Sequence, residues 1–165
     1  MHCTHTPVAV PEICARIAER AGNLFHGRRL WCSAAVLSAL NGALGGDLSE
    51  TQVIRLTAGL SNGLGGSGCL CGALAGGVLA LGLLLGTEQP RRSGDTRVMR
   101  MTRQLHRRFE ETFGATCCRI LIRKREPGMT SSFQSCGFRT AQAARWTAEL
   151  ILEAEPARTR SIDPA

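Results

Sequence analysis

The chain has 165 residues, 44% of them hydrophobic, and a formal net charge of +7 in which only one of the twenty cations is lysine. That length suits one domain with its own core and requires no disulfide staples. Aromatic residues make up only 4% and tyrosine is absent, which excludes a stacking platform for single-stranded nucleic acid.

Residues 1–10 read as a flexible tail. His2, Cys3 and His5 carry metal-binding side chains there, at a position where chains are usually loose. A single helical domain is expected over 11–154, and a second tail over 155–165. Pro11 suits the first position of a helix, and Ile13, Ile17 and Leu24 form its buried stripe, with Cys14 beside it as a small core residue. After the basic turn His26 to Arg29, a second helix follows in WCSAAVLSALNGALG. Cys32, Val36, Leu40 and Leu44 step by four along one face of it, so Cys32 points inward at the helix start. Ser49 and Gln52 form a capping box for a third helix, Glu50 to Ala58. A glycine-rich loop then leads into a fourth helix, from about Cys69 to Leu85.

Glu88 to Gly94 reads as a polar linker. Asp95 precedes a fifth helix whose Val98, Met101, Leu105, Phe109 and Phe113 step 3, 4, 4 and 4, stopping at Gly114. Arg97, Arg100, Arg103 and Arg107 lie off that stripe and form a solvated face, which also offers a docking surface for an acidic partner. RILIRKR is too short to assign. Glu126 to Ser135 reads as a loop broken by Pro127 and Gly128. A last helix is expected to begin at Cys136, with Ala143, Trp146 and Leu150 on its face. The fold class is therefore all-α, a bundle of about six helices around a central, apolar, glycine-rich helix.

No charged residue occurs between Arg55 and Glu88. An uncharged run of about 18 residues reaches the length of a membrane span, but five glycines fall between Gly72 and Gly86 and no aromatic belt flanks the run. A buried helix, apolar on all sides, is the better reading. No membrane partner is expected. The N-terminal residues lack the pattern of a secretory signal, so a cytoplasmic protein is expected. Cys71 stands where the glycine loop turns into this helix. A thiolate there meets unpaired backbone N–H groups and the positive end of the dipole, which lowers its pKa and favours nucleophilic or metal-binding chemistry.

Eight cysteines are many for this length. In a reducing compartment such residues more often bind metal or do redox work than form structural disulfides. None forms CxxC or CxxCH, so covalent haem is not expected. Cys32, Cys71 and Cys136 each sit near the start of an expected helix, and Cys117 and Cys118 follow the end of another. If the helix ends converge, four thiolates form the ligand set of an iron–sulfur cluster or a zinc ion, or pairs of them cycle between dithiol and disulfide. Hydrolase chemistry is hard to build, because none of His2, His5, His26 and His106 lies in a motif with a nucleophile. GLGGSG lacks the Gly-Lys-Ser/Thr ending of a phosphate loop.

The segments WCSAAVLSAL, CGALAGGVLALG and RRFEETFGATCCRIL, with the late Cys136, resemble a family of redox-active proteins marked by a CGAxxG motif and four cysteines. The resemblance spans about Trp31 to Leu152, and the motif reads as Cys71, Gly72, Ala73, Leu74, Ala75 and Gly76. It places the family's other cysteines on Cys32, Cys118 and Cys136, and it implies a helical protein related to the iron–sulfur portion of split-Soret cytochromes. Cys69 and Cys117 are additions to the family pattern and stand as alternate ligands. The resulting expectation is a small redox protein that binds a [2Fe–2S] or [4Fe–4S] cluster through Cys32, Cys71, Cys118 and Cys136. It would pass electrons to or from a partner oxidoreductase, with no nucleic-acid partner and a homodimer left open. The alternatives are a thiol–disulfide relay using Cys71 with Cys69 or Cys118, and a zinc protein.

Overall fold

The structure, a computed structural model, describes residues 9–88 and 96–161. His2, Cys3, His5, Asp95 and most of the Glu88–Gly94 linker lie outside the described residues. In chain order the elements are α1 (Val10–His26), α2 (Cys32–Ala43) and α3 (Glu50–Thr57). A 3-10 turn (Ala58–Leu60) follows and runs into one-turn α4 (Ser61–Leu64). Then come α5 (Gly72–Leu85), α6 (Thr96–Phe113), one-turn α7 (Cys118–Leu121), α8 (Ser132–Ala154) and a final 3-10 turn (Pro156–Ser161). Six of these helices have eight residues or more, and the described residues contain no strand, only one isolated antiparallel bridge between Leu70 and Cys117. The all-α expectation holds.

α5 is the centre of the bundle, packed against α2, α6 and α8, while α8 also lies along α1 and α2. Gly72 to Gly77 bury the first turns of α5 on every side, and Ala80, Leu81, Leu84 and Leu85 continue the buried face, while Val78, Leu79 and Leu83 are partly buried and Gly82 is exposed. Two adjacent glycines let its neighbours approach. A Cβ on Gly76 would lie 2.5 Å from the carbonyl oxygen of Ser33 in α2, and one on Gly77 would lie 2.6 Å from Thr147 Oγ1 in α8. At about 1.5 Å per residue α5 spans about 21 Å, short of a hydrocarbon core of about 30 Å. Among the described residues no helix is long and apolar enough to cross a membrane.

The stripe expected for α6 is the buried one: Met101, Leu105, Phe109 and Phe113 face the core, where Phe113 packs on Trp146 at 5.6 Å. On the polar side Arg97 is partly buried in an ion pair with Glu155 at 3.0 Å, while Arg100, Arg103 and Arg107 are exposed.

Three boundaries differ from the sequence expectation. α5 starts at Gly72 with Cys71 as its N-cap, because residues 69–71 are extended alongside 116–118. α8 starts at Ser132, not Cys136. The Ser131 hydroxyl accepts a hydrogen bond from the Gln134 N–H at 3.2 Å, the same cap chemistry that starts α3 at Ser49. The expected C-terminal tail opens with the 3-10 turn. In it Arg158 donates to the Leu44 carbonyl at 2.8 Å and the Leu84 carbonyl at 2.5 Å. One guanidinium thus satisfies carbonyls at the C-terminal ends of both α2 and α5, where a cation also suits the helix dipoles.

Candidate redox centre

Glycine chemistry at two places brings the cysteines together. Gly72, the second residue of the CGAxxG motif, has no room for a side chain: a Cβ there would lie 2.5 Å from Cys32 Sγ. α2 and α5 therefore start side by side. Residues 62 to 66 all adopt positive φ, including Asn62 at 54° and Leu64 at 53°. Such values are strained for a residue with a side chain. Within this turn Gly63 (φ 74°) lets the chain pass against the Cys69 carbonyl, and a Cβ there would sit 2.8 Å from Cys118 Cβ.

The isolated bridge sets which cysteine of the Cys117–Cys118 pair faces inward. The Cys71 N–H donates to the Thr116 carbonyl at 2.7 Å, and the Cys118 N–H donates to the Cys69 carbonyl at 3.5 Å. Leu70 and Cys117 are then directly opposed, with side chains on one side, and the two-residue period of extended backbone turns Cys71 and Cys118 to the other. Cys71 and Cys118 line one cavity with Cys32 and Cys136, and Cys117 does not. Cys69 shares the parity of Cys71 but is exposed and forms no part of that wall. Cys32, Cys71, Cys118 and Cys136, the four named from sequence, all line this cavity.

The cavity has a volume of about 210 Å³, and Phe25, Trp31, Asn62, Leu121, Ile122, Phe133 and Arg139 complete much of its wall. Burial pushes the Cys32 thiol up to about 12, with the Cys71 charge adding to the effect and Cys136 and Cys118 contributing less. Burial pushes Cys71 to about 11 against the opposing N–H groups of Ala73 and Leu74. The lowered pKa expected for Cys71 is therefore reversed. The helix start does act on the sulfur, but loss of water outweighs it. Cys118 is raised by burial and by Cys136. Cys136 is raised by burial, opposed by the charge and a donated hydrogen bond of Arg139 and by Arg125. Each thiol feels the others, so ionising one makes the next harder unless a cation joins them.

Arg139 is the principal residue that the sequence reading missed. It is 1% exposed and pairs with Glu126 Oε1 at 2.5 Å and 2.8 Å. It also donates to the Leu121 carbonyl at 3.0 Å, which ties α8 to α7. Its signal was present as Cys136-x-x-Arg139, a spacing that places both side chains on one helix face. Trp31 and Phe133, also in the wall, were named in the sequence only as parts of segments.

No three His, Cys, Asp or Glu side chains among the described residues are close enough to hold one metal ion. The four thiols instead surround a space several times the ~30 Å³ share of one water. Four thiols lining one cavity are a donor set of the kind that thiophilic metals and metal–sulfur groups accept. The N-terminal ends of α2 and α5 carry Cys32 and Cys71, and helix N-termini favour negative charge such as thiolate, whereas Cys136 lies beyond the first turn of α8.

The profile of a family described as "Putative redox-active protein (C_GCAxxG_C_C)" matches residues 30–150. The chain belongs to this family. No curated protein and no solved structure matches it. The C_GCAxxG_C_C match runs from just before α2 to Leu150 within α8 and so contains all four cysteines of the cavity, whereas α1 lies before it. Redox activity is accordingly the coarse function, and this cavity is the place where four redox-capable side chains of the C_GCAxxG_C_C segment meet.

Proposed function

We propose that the chain holds an iron–sulfur cluster through Cys32, Cys71, Cys118 and Cys136 and exchanges electrons with a partner oxidoreductase. The observation that carries this reading is the convergence of four thiols, from four separate elements, on one cavity of about 210 Å³. When bound, a cluster supplies one-electron redox chemistry at a potential set by hydrogen bonds to sulfur, charge and exposure. The protein's own groups supply those levers. Phe25, Trp31 and Phe133 give the cavity apolar wall, while Arg139 donates to Cys136. Four cysteine ligands serve a [2Fe–2S] or a [4Fe–4S] cluster equally.

The raised thiol pKa values weigh against the relay alternative. A thiol at about 11 is ionised in only about one molecule in 10⁴ at pH 7, and the thiolate is the nucleophile. Metal binding removes this obstacle because it displaces the proton directly. The spread of the donors weighs against a lone zinc ion. Protein purified without oxygen should be brown and contain iron and acid-labile sulfide. A folded, colourless protein containing neither, even after reconstitution, would overturn the proposal and return the thiol relay.

A further inference from the structure

We infer that the mouth of the cysteine cavity is a docking face for a protein partner that presents a carboxylate-rich surface around its own redox group. This rests on the electron-exchange reading above.

Three large apolar side chains of the cavity wall are open to solvent: Trp31 at 59%, Ile122 at 46% and Phe133 at 38%. A half-exposed tryptophan beside two exposed apolar neighbours is the kind of anchor that interfaces use. Cations are attached to residues of this wall or follow one of them directly in sequence. The Arg28 guanidinium lies 5.4 Å above the Phe133 ring. Arg125 donates to the Ile122 carbonyl at 3.1 Å, and Arg119, next to Cys118, donates to the Ser67 carbonyl at 2.9 Å. All three are exposed, and none is in an ion pair among the described residues.

The acidic residues are placed elsewhere. Residues 20–46, 51–87, 112–125 and 127–148, which carry all four cysteines, contain no Asp or Glu. Glu126, which falls between two of these stretches, is taken up by buried Arg139. The sequence stretches that form the mouth are therefore basic and contribute no carboxylate of their own apart from the paired Glu126, and the centre of the mouth is apolar. An apolar core inside a polar, charged rim is the anatomy of a protein interface. A phosphate backbone would satisfy the cations but leave Trp31 and Phe133 without an apolar counterpart. Charge complementarity then selects a partner surface rich in Asp and Glu and speeds encounter with it. Docking there brings the partner's redox group against the cavity, where one electron lost by one centre is the electron gained by the other.

The test measures association of the metal-loaded full chain with an acidic plant-type ferredoxin as probe, using basic cytochrome c and duplex DNA as controls. Iron and sulfide are assayed on the same sample, so failure of the cluster reading is seen separately from failure to dock. Two triple variants make the same change in net charge: Arg28→Glu with Arg119→Glu and Arg125→Glu at the mouth, and Arg100→Glu with Arg103→Glu and Arg107→Glu on α6. Ferredoxin binding should weaken by about tenfold from low to high salt. It should weaken by about tenfold or more in the mouth triple and change less than about twofold in the α6 triple. Trp31→Ala, which removes no charge, should cost about tenfold. Equal losses in the two triples, a larger loss in the α6 triple, absence of ferredoxin binding, or tighter binding of DNA or cytochrome c would each overturn the inference.

Discussion

At the scale of single residues, two glycines at opposite ends of α5 have opposite stakes. Gly72→Ala would place a methyl 2.5 Å from Cys32 Sγ and 3.1 Å from the Leu60 carbonyl. It should cost about 1–3 kcal/mol by overpacking and lower iron loading, read together by urea unfolding and metal analysis. Gly82→Ala meets nothing within 4 Å. It should instead stabilise the helix by about 0.5–1 kcal/mol, because alanine is the better helix former. Arg139→Met strands the Glu126 carboxylate, whose side chain is only 13% exposed, and should destabilise by about 3 kcal/mol. Adding Glu126→Gln to it should recover much of that loss, measured by the urea midpoint. On the cluster reading the same single change moves the reduction potential down, since it removes a positive charge that favours the reduced form.

At the scale of elements, the Leu70–Cys117 bridge makes the sharpest distinction. Cys118→Ser should lose most of the bound metal, whereas Cys117→Ser, on the opposite side of the bridge, should keep it, read as iron per folded chain. This much of the site was legible in the sequence through the Phe-Gly-x-x-x-Cys-Arg context, but the physical reason was not. The reason lies in the register between residues 69–71 and 116–118, which no local pattern encodes. Local signals fared better where packing and propensity agree, as in the α6 stripe and the Ser49 capping box. α8 was started late because the apolar face begins deeper in the helix than the cap, and the Ser131–Gln134 cap sits inside a stretch that reads as loop. The Cys71 pKa was misjudged for a related reason. The helix start is visible in one segment, while the burial that outweighs it depends on how the rest of the chain packs around that segment.

At the scale of the whole molecule, the buried thiols make the metal-free protein sensitive to alkali. Burial pushes Cys32 and Cys71 up to about 12 and about 11 when folded, against 9.0 for an ordinary cysteine thiol. Below pH 9 both states keep the protons and the stability is complete. Above it the unfolded chain ionises first, so stability falls as pH rises towards the folded values, by about 1.4 kcal/mol per pH unit for each thiol. The urea midpoint of metal-free protein should drop between pH 9 and 10.5, and Cys71→Ser should flatten that slope. Metal loading runs the other way, because it expels the protons and therefore weakens as pH falls.

The hold of Arg158 on the far ends of α2 and α5 turns those helices into a matched pair of rulers. They run in the same direction, from adjoining cysteines at one end to a shared guanidinium at the other. Their twelve and fourteen residues correspond to about 18 and 21 Å. An extra residue in either would advance its cysteine by about 1.5 Å and swing it by about 100°, out of step with its neighbour. Chain length is thus fixed where it looks least remarkable, in two uniform apolar helices, and free in the polar connections between elements. A single alanine inserted within α5 should abolish metal loading, and the same alanine inserted after Glu88 should leave it intact, each measured as iron per folded chain.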